Sequence, residues 1–155
     1  MLFSWGEPGS TPGQFRLPHA LWVDKQERVW VVDRENNRIQ IFNGQEEFLS
    51  QWVVCLDRPS DIYIDDEGTV FISELRAGVS IYTIDGKLLT RWGSEVQDTE
   101  TALFLDPHAI AVDSHGDLYV GEAPNNFARH YSVRVDRGAR TVQKFARLPP
   151  MPQSQ

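Results

Sequence analysis

The chain has 155 residues, 41% of them hydrophobic, with 22 acidic against 15 basic side chains and a formal net charge of −7. That is enough apolar material for one domain core, while the acidic balance argues against a nucleic-acid surface, which needs a basic face. No run of 18 apolar residues occurs, so no membrane partner is expected, and the lone Cys55 excludes an internal disulfide or a cysteine-cluster metal site.

In chain order, Met1-Leu2-Phe3-Ser4-Trp5-Gly6 lacks the basic start and long apolar stretch of a signal peptide, and the compartment stays open. Residues 2–6 instead match Leu88-Leu89-Thr90-Arg91-Trp92-Gly93 and read as a strand belonging to a neighbouring unit. A phrase then begins that occurs three times. Its copies are Pro18-His19-Ala20-Leu21-Trp22-Val23-Asp24, Pro59-Ser60-Asp61-Ile62-Tyr63-Ile64-Asp65 and Pro107-His108-Ala109-Ile110-Ala111-Val112-Asp113. Each copy runs through a turn into a second strand that closes on an acid: Asp33, Glu74 or Glu122. Proline to closing acid is 15 residues in every copy (18 to 33, 59 to 74, 107 to 122).

Apolar residues alternate at period two throughout, the pattern of half-buried strands, and no helical period of useful length is found. Third strands are predicted at Arg38–Phe42, Val79–Tyr82 and Thr141–Phe145, and fourth strands at Glu47–Trp52 and Lys87–Trp92. Asn43-Gly44, Asp66-Glu67-Gly68, Asp85-Gly86 and His115-Gly116-Asp117 supply the hairpin turns. Cys55, in the apolar run Trp52 to Leu56, is expected to be a buried, inert thiol. Residues 123–139 are expected to form a loop inside the third unit, and 149–155 a disordered tail.

The copies start 41 and 48 residues apart (18 to 59, 59 to 107). A period of about 40–50 residues built from short strands is the mark of a propeller or array. The expected architecture is all-β: a partial propeller of three four-stranded blades over residues 1–148, at about 7–52, 53–92 and 93–148. Propellers close with about four to eight blades, so three make part of a ring. The expectation is a portion of a longer chain. The alternative is a head-to-tail homodimer, in which residues 2–6 of one copy complete the third blade of another and close a six-bladed ring.

The stretch from Pro12-Gly13-Gln14-Phe15-Arg16-Leu17-Pro18-His19-Ala20 through Asp33-Arg34-Glu35-Asn36-Asn37-Arg38-Ile39-Gln40-Ile41-Phe42 resembles an NHL repeat. It is similar in particular to repeats of the six-bladed peptidyl-α-hydroxyglycine α-amidating lyases and their bacterial relatives. The later copies continue the pattern, so the resemblance covers roughly residues 2–147. It implies a zinc ion on the central axis, held by one histidine from each of three blades, with an open fourth position. His19 and His108 match two of those ligands; Ser60 stands at the equivalent place in the middle copy, and the third histidine would come from a blade outside this chain.

The resemblance also assigns Arg34 a catalytic place, pairing the carboxylate side of a small-molecule or peptide substrate. The family's tyrosine base follows an Asp-Gly pair, and no Asp-Gly-Tyr occurs here. Where the family has an aspartate that helps hold calcium, this chain has Ala109, leaving backbone carbonyls alone to contribute to calcium there. The implied activity is a carbon–nitrogen lyase completed by further blades. The alternative is a non-catalytic NHL scaffold that binds protein or carbohydrate.

The remaining candidates read as structural. Asp24, Asp65 and Asp113 are expected to satisfy turn amides, and Asp33, Glu74 and Glu122 recur too regularly to be catalytic. Arg34 is blade-specific, its counterparts being Leu75 and Ala123, and Arg76 lies near it out of register. Trp5, Trp52 and Trp92 are expected to pack between blades, Asn37-Arg38 to hold neighbouring loops, and His115 and His130 to face solvent.

Overall fold

A computed structural model describes residues 3–53, 55–76, 78–93, 102–132, 134 and 141–148. A short parallel pair, β1 (Glu7–Pro8) and β2 (Gln14–Phe15), precedes the first blade. That blade is a four-stranded antiparallel sheet of β3 (Pro18–Val23), β4 (Val29–Asp33), β5 (Arg38–Phe42) and β6 (Phe48–Trp52), in sequential order. The second repeats it with β7 (Pro59–Ile64), β8 (Thr69–Glu74), β9 (Gly78–Thr83) and β10 (Leu88–Trp92). The third has β11 (Pro107–Val112), β12 (Leu118–Glu122) and β13 (Val142–Phe145), and β13 has one strand neighbour among the described residues.

Three departures from the sequence reading stand out. Residues 123–139 are not wholly loop: α1 spans Pro124–Tyr131. Proline fits the first helical turn, where its missing N–H would have no intrahelical partner, and Phe127 is buried beneath the helix. Two turns are too short to impose a periodic signature on the sequence. Phe3–Gly6 forms no strand. Cys55 is exposed rather than buried: alternation ends at Trp52, and Cys55 takes a left-handed conformation (φ 48°) while Leu56 turns inward. A thiol reagent is therefore expected to label Cys55 completely in the native protein. Labelling that requires denaturant would contradict this placement. The tail at 149–155 and the side chain of His130 lie outside the described residues.

The hydrophobic cores sit between blades rather than within them. Trp30, Val32, Ile39, Ile41 and Trp52 of the first blade pack on Ile62, Ile64, Val70, Ile72 and Tyr82 of the second. Val79 and Phe104 pack with Ile110, Leu118 and Val120 at the second boundary. The tryptophans of the fourth strands serve these contacts: Trp52 meets Trp30 edge-on with ring centroids 5.1 Å apart and Tyr82 at 5.6 Å, and Trp92 meets Phe145 at 6.3 Å. On β3, Leu21 and Val23 are exposed, whereas their counterparts Ile62 and Ile64 are buried. The first blade thus presents the kind of apolar face that its neighbours bury.

One hydrogen-bond scheme recurs in all three blades. The closing acids are buried, and each accepts from the backbone amide 17 positions earlier: Arg16 N to Asp33 (2.9 Å), Asp57 N to Glu74 (2.6 Å) and Leu105 N to Glu122. Each acid therefore clamps the loop that enters its own blade. Asp24, Asp65 and Asp113 each accept two turn amides through Oδ1, from Gln26 and Arg28, Glu67 and Thr69, and His115 and Asp117. Asn37 Oδ1 accepts from Arg58 N, and Arg38 donates to the carbonyls of Ser10, Thr11 and Gln14.

Candidate functional site

The first strand of every blade slips register at the same place. Pro18 pairs with Asp33 but Ala20 with Val32, Pro59 with Glu74 but Asp61 with Ser73, and Pro107 with Glu122 but Ala109 with Gly121. His19, Ser60 and His108 are the extra residues at these bulges. A bulge removes a residue from the ladder and re-aims its side chain. The result is a meeting between the first and third blades: the His19 and His108 rings lie edge to face, centroids 5.1 Å apart.

Ser60 sits between them as connector. His19 Nδ1 lies 2.6 Å from the Ser60 carbonyl oxygen. A carbonyl only accepts, so Nδ1 is the donor in this contact. The Ser60 hydroxyl donates to the Pro107 carbonyl at 2.7 Å and lies 2.9 Å from Ser73 Oγ. Asp61 Oδ2 accepts from Ile110 N at 3.0 Å. The middle blade thus fixes the spacing of the two histidines. His108 Nδ1 is buried without a hydrogen-bond partner, and burial, then the nearby His19 and Arg34, lowers the pKa of this imidazole and favours its neutral form.

Beside His108 opens a cavity of about 350 Å³ lined by Arg34, Arg58, Arg76, Asp106 and Arg129. Its geometry follows from the repeat. The residue before each proline and the residue after each closing acid are joined by a backbone bond: Arg34 N to Leu17 O, Leu75 N to Arg58 O, Ala123 N to Asp106 O. These paired positions differ from blade to blade, and four of them, Arg34, Arg58, Leu75 and Asp106, line the cavity. Glu35 accepts from Arg34 Nε (3.1 Å) and from an Arg58 terminal nitrogen (2.6 Å). Both arginines hold the Glu35 carboxyl below its usual pKa, against the opposing effect of its partial burial. Asp106 is buried, and burial raises its pKa to about 6 although Arg58, Arg34 and Arg76 pull the other way.

The structure therefore brings two of the sequence candidates, His108 and Arg34, to one cavity, with His19 against His108. His115 is exposed, as expected for a turn residue. Sequence reasoning missed Arg58 and Asp106. The available signal was the variation Leu17, Arg58, Asp106 at one repeat position, directly before the proline.

Two four-stranded sheets and one of three described strands, each with a bulge at the same place in its first strand, make these the blades of a β-propeller. The NHL repeat profile matches residues 15–42, so the chain carries an NHL repeat within a β-propeller fold. It is 29% identical over 154 residues to human NHL repeat-containing protein 3, covering 96% of this chain and 40% of the relative. It is 31% identical over 153 residues to peptidyl-glycine alpha-amidating monooxygenase B of Xenopus laevis, covering 84% of this chain and 16% of that protein. The chain thus spans well under half the length of either relative. Among solved structures it is similar to virginiamycin B lyase from Staphylococcus aureus, with a TM-score of 0.56 and 16% identity over 86% of this chain and 42% of that one; this likeness concerns the fold.

Proposed function

We propose that this chain is the metal-presenting part of a six-bladed NHL propeller of the peptidyl-α-hydroxyglycine amidating lyase kind, with His19 and His108 as two zinc ligands. The observation that carries the reading is the approach of two bulge-borne imidazoles to 5.1 Å, both suited to ligation. His19 donates its other nitrogen to a backbone carbonyl, the arrangement that orients metal-ligating histidines. His108 is neutral and has an orphaned nitrogen. Zinc, when bound, supplies Lewis-acid polarisation of a substrate oxygen.

The chain's own residues bind and orient. Arg34, its Nε held by Glu35, receives the substrate carboxylate beside His108. Ser60 and Asp61 keep the two imidazoles at fixed separation. The third ligand and the base belong to other blades, supplied by the same polypeptide or by a second copy covering Leu21 and Val23. Light scattering tests the second route, because a stable monomer is incompatible with pairing.

A non-catalytic scaffold for protein or carbohydrate is favoured by one observation: among the described residues no third His, Cys, Asp or Glu joins the histidine pair. Metal content separates the two readings. After chelation, zinc reloading and gel filtration, the chain is expected to retain zinc that the variant carrying both His19→Ala and His108→Ala lacks. Equal zinc in both proteins refutes the site.

A further inference from the structure

We propose that a cavity between the second and third blades binds a small aromatic molecule carrying an N–H or O–H donor, of indole or phenol type. The cavity measures about 340 Å³; Phe71, Ile81, Trp92, Val112, Leu118 and Phe145 give it apolar walls, and Asp65 also lines it. That volume falls at the small end of ligand pockets, about 300–1,000 Å³. Comparison of the repeats indicates its occupant. Trp30, Phe71 and Tyr119 hold one position in the three blades, three residues before the closing acid and six after Asp24, Asp65 and Asp113. In the first blade the Trp30 indole donates to Asp24 Oδ2 at 2.8 Å, and in the third the Tyr119 hydroxyl donates to Asp113 Oδ2 at 3.1 Å. Phe71 has no polar atom to offer. Asp65 Oδ1 accepts its two turn amides, from Glu67 and Thr69, but Oδ2 accepts from no described residue.

The side chains around this position are smaller too. Relative to the boundary between the first two blades, Thr69 replaces Arg28, Val112 replaces Ile64 and Phe145 replaces Tyr82. At that first boundary Arg28 lies over the Trp30 ring, 5.3 Å from its centroid, and Trp30 is wholly buried. The hollow there is lined by Asp24, Arg28 and Ile84 and does not reach Trp30, Trp52 or Tyr82. At the second boundary the matching Phe71, Trp92 and Phe145 all line the cavity and are only half-buried. An aromatic ring seated there gains edge-on or offset contacts with three aromatic side chains. Its donor serves the carboxylate oxygen that an indole or a phenol serves in the other two blades. An aliphatic ligand would leave that oxygen unserved, and an anion would be repelled by its charge. Neither His19, His108 nor the arginine cavity takes part, so the inference stands apart from the zinc reading.

Calorimetry tests it with indole as the probe and 1-methylindole, which lacks the N–H, as the control. Indole is expected to bind saturably, and 1-methylindole about tenfold more weakly, the scale of one hydrogen bond to a charged group. Asp65→Asn keeps an oxygen for the turn amides and removes the second acceptor. It should weaken indole about tenfold and leave 1-methylindole unchanged. Phe71→Trp supplies the protein's own indole, so it should raise Tm and abolish indole binding. Should that variant fail to fold, Asp65→Asn with the two probes still decides the matter. Absence of saturable indole binding, 1-methylindole binding as tight as indole, or unchanged indole binding in Asp65→Asn or in folded Phe71→Trp overturns the proposal.

Discussion

Replacing Asp33 by alanine is expected to destabilise the protein by about 3–5 kcal/mol, the usual cost of breaking a buried ion pair from one side. Asp33 is fully buried and Arg38 is 3% exposed, with Arg38 Nε donating to Asp33 Oδ2 at 2.8 Å. The same oxygen accepts from Asn36 at 2.7 Å, and Oδ1 accepts from Arg16 N at 2.9 Å. Removing the carboxylate leaves a guanidinium in the interior without its counter-charge and frees the loop that enters the first blade. Arg38→Ala should cost a similar amount, because its bonds to Ser10, Thr11 and Gln14 carbonyls hold that loop from the other side. The double variant should lose much less than the sum, since both residues serve one network. Urea denaturation measures all three. A loss under about 1 kcal/mol for Asp33→Ala would show that the clamp is not a principal source of stability.

Asp106→Asn is expected to stabilise the fold at neutral pH by about 2–3 kcal/mol. Burial raises this carboxyl from 3.8 to about 6. As pH rises, the unfolded chain loses the proton first, while the folded chain holds it longer. The stabilisation linked to that proton is therefore complete below about pH 4 and is lost as pH climbs to about 6. Asparagine carries no such charge and adopts the left-handed conformation at this position (φ 58°) with little strain. Wild type and variant should converge near pH 4 and diverge above it. Parallel stability curves from pH 4 to 7 would contradict the assignment. An acid kept at such cost is what a site that trades stability for function contains.

The repeat was legible because three independent regularities agree: period-two alternation, a fixed proline-to-acid interval and turn residues at matching offsets. The role of Asp24, Asp65 and Asp113 followed from the same regularity. The bulges at His19, Ser60 and His108 were not legible, since a register slip is decided by which residue faces which across the ladder. Composition does not record that. Helix α1 escaped because eight residues complete barely two turns, and Cys55 because an apolar run gives no notice of where its strand stops. The arginine cavity needed the folded blades. Arg34, Arg58, Arg76 and Arg129 are scattered over almost a hundred residues of sequence, and the packing of the blades brings them together. Even so, variation against a constant frame was visible at Arg34, and the same test one residue before each proline finds Arg58 and Asp106.

The clamp by which each closing acid holds an amide of its own entry loop has an evolutionary consequence. Each blade carries its fastening within itself, and the two positions beside that fastening are side chains its hydrogen bonds do not use. The pairs Leu17 with Arg34, Arg58 with Leu75 and Asp106 with Ala123 are thus interchangeable cassettes on a common mount. Selection can exchange one cassette for another and redraw the chemistry of the arginine cavity while leaving the folding problem solved.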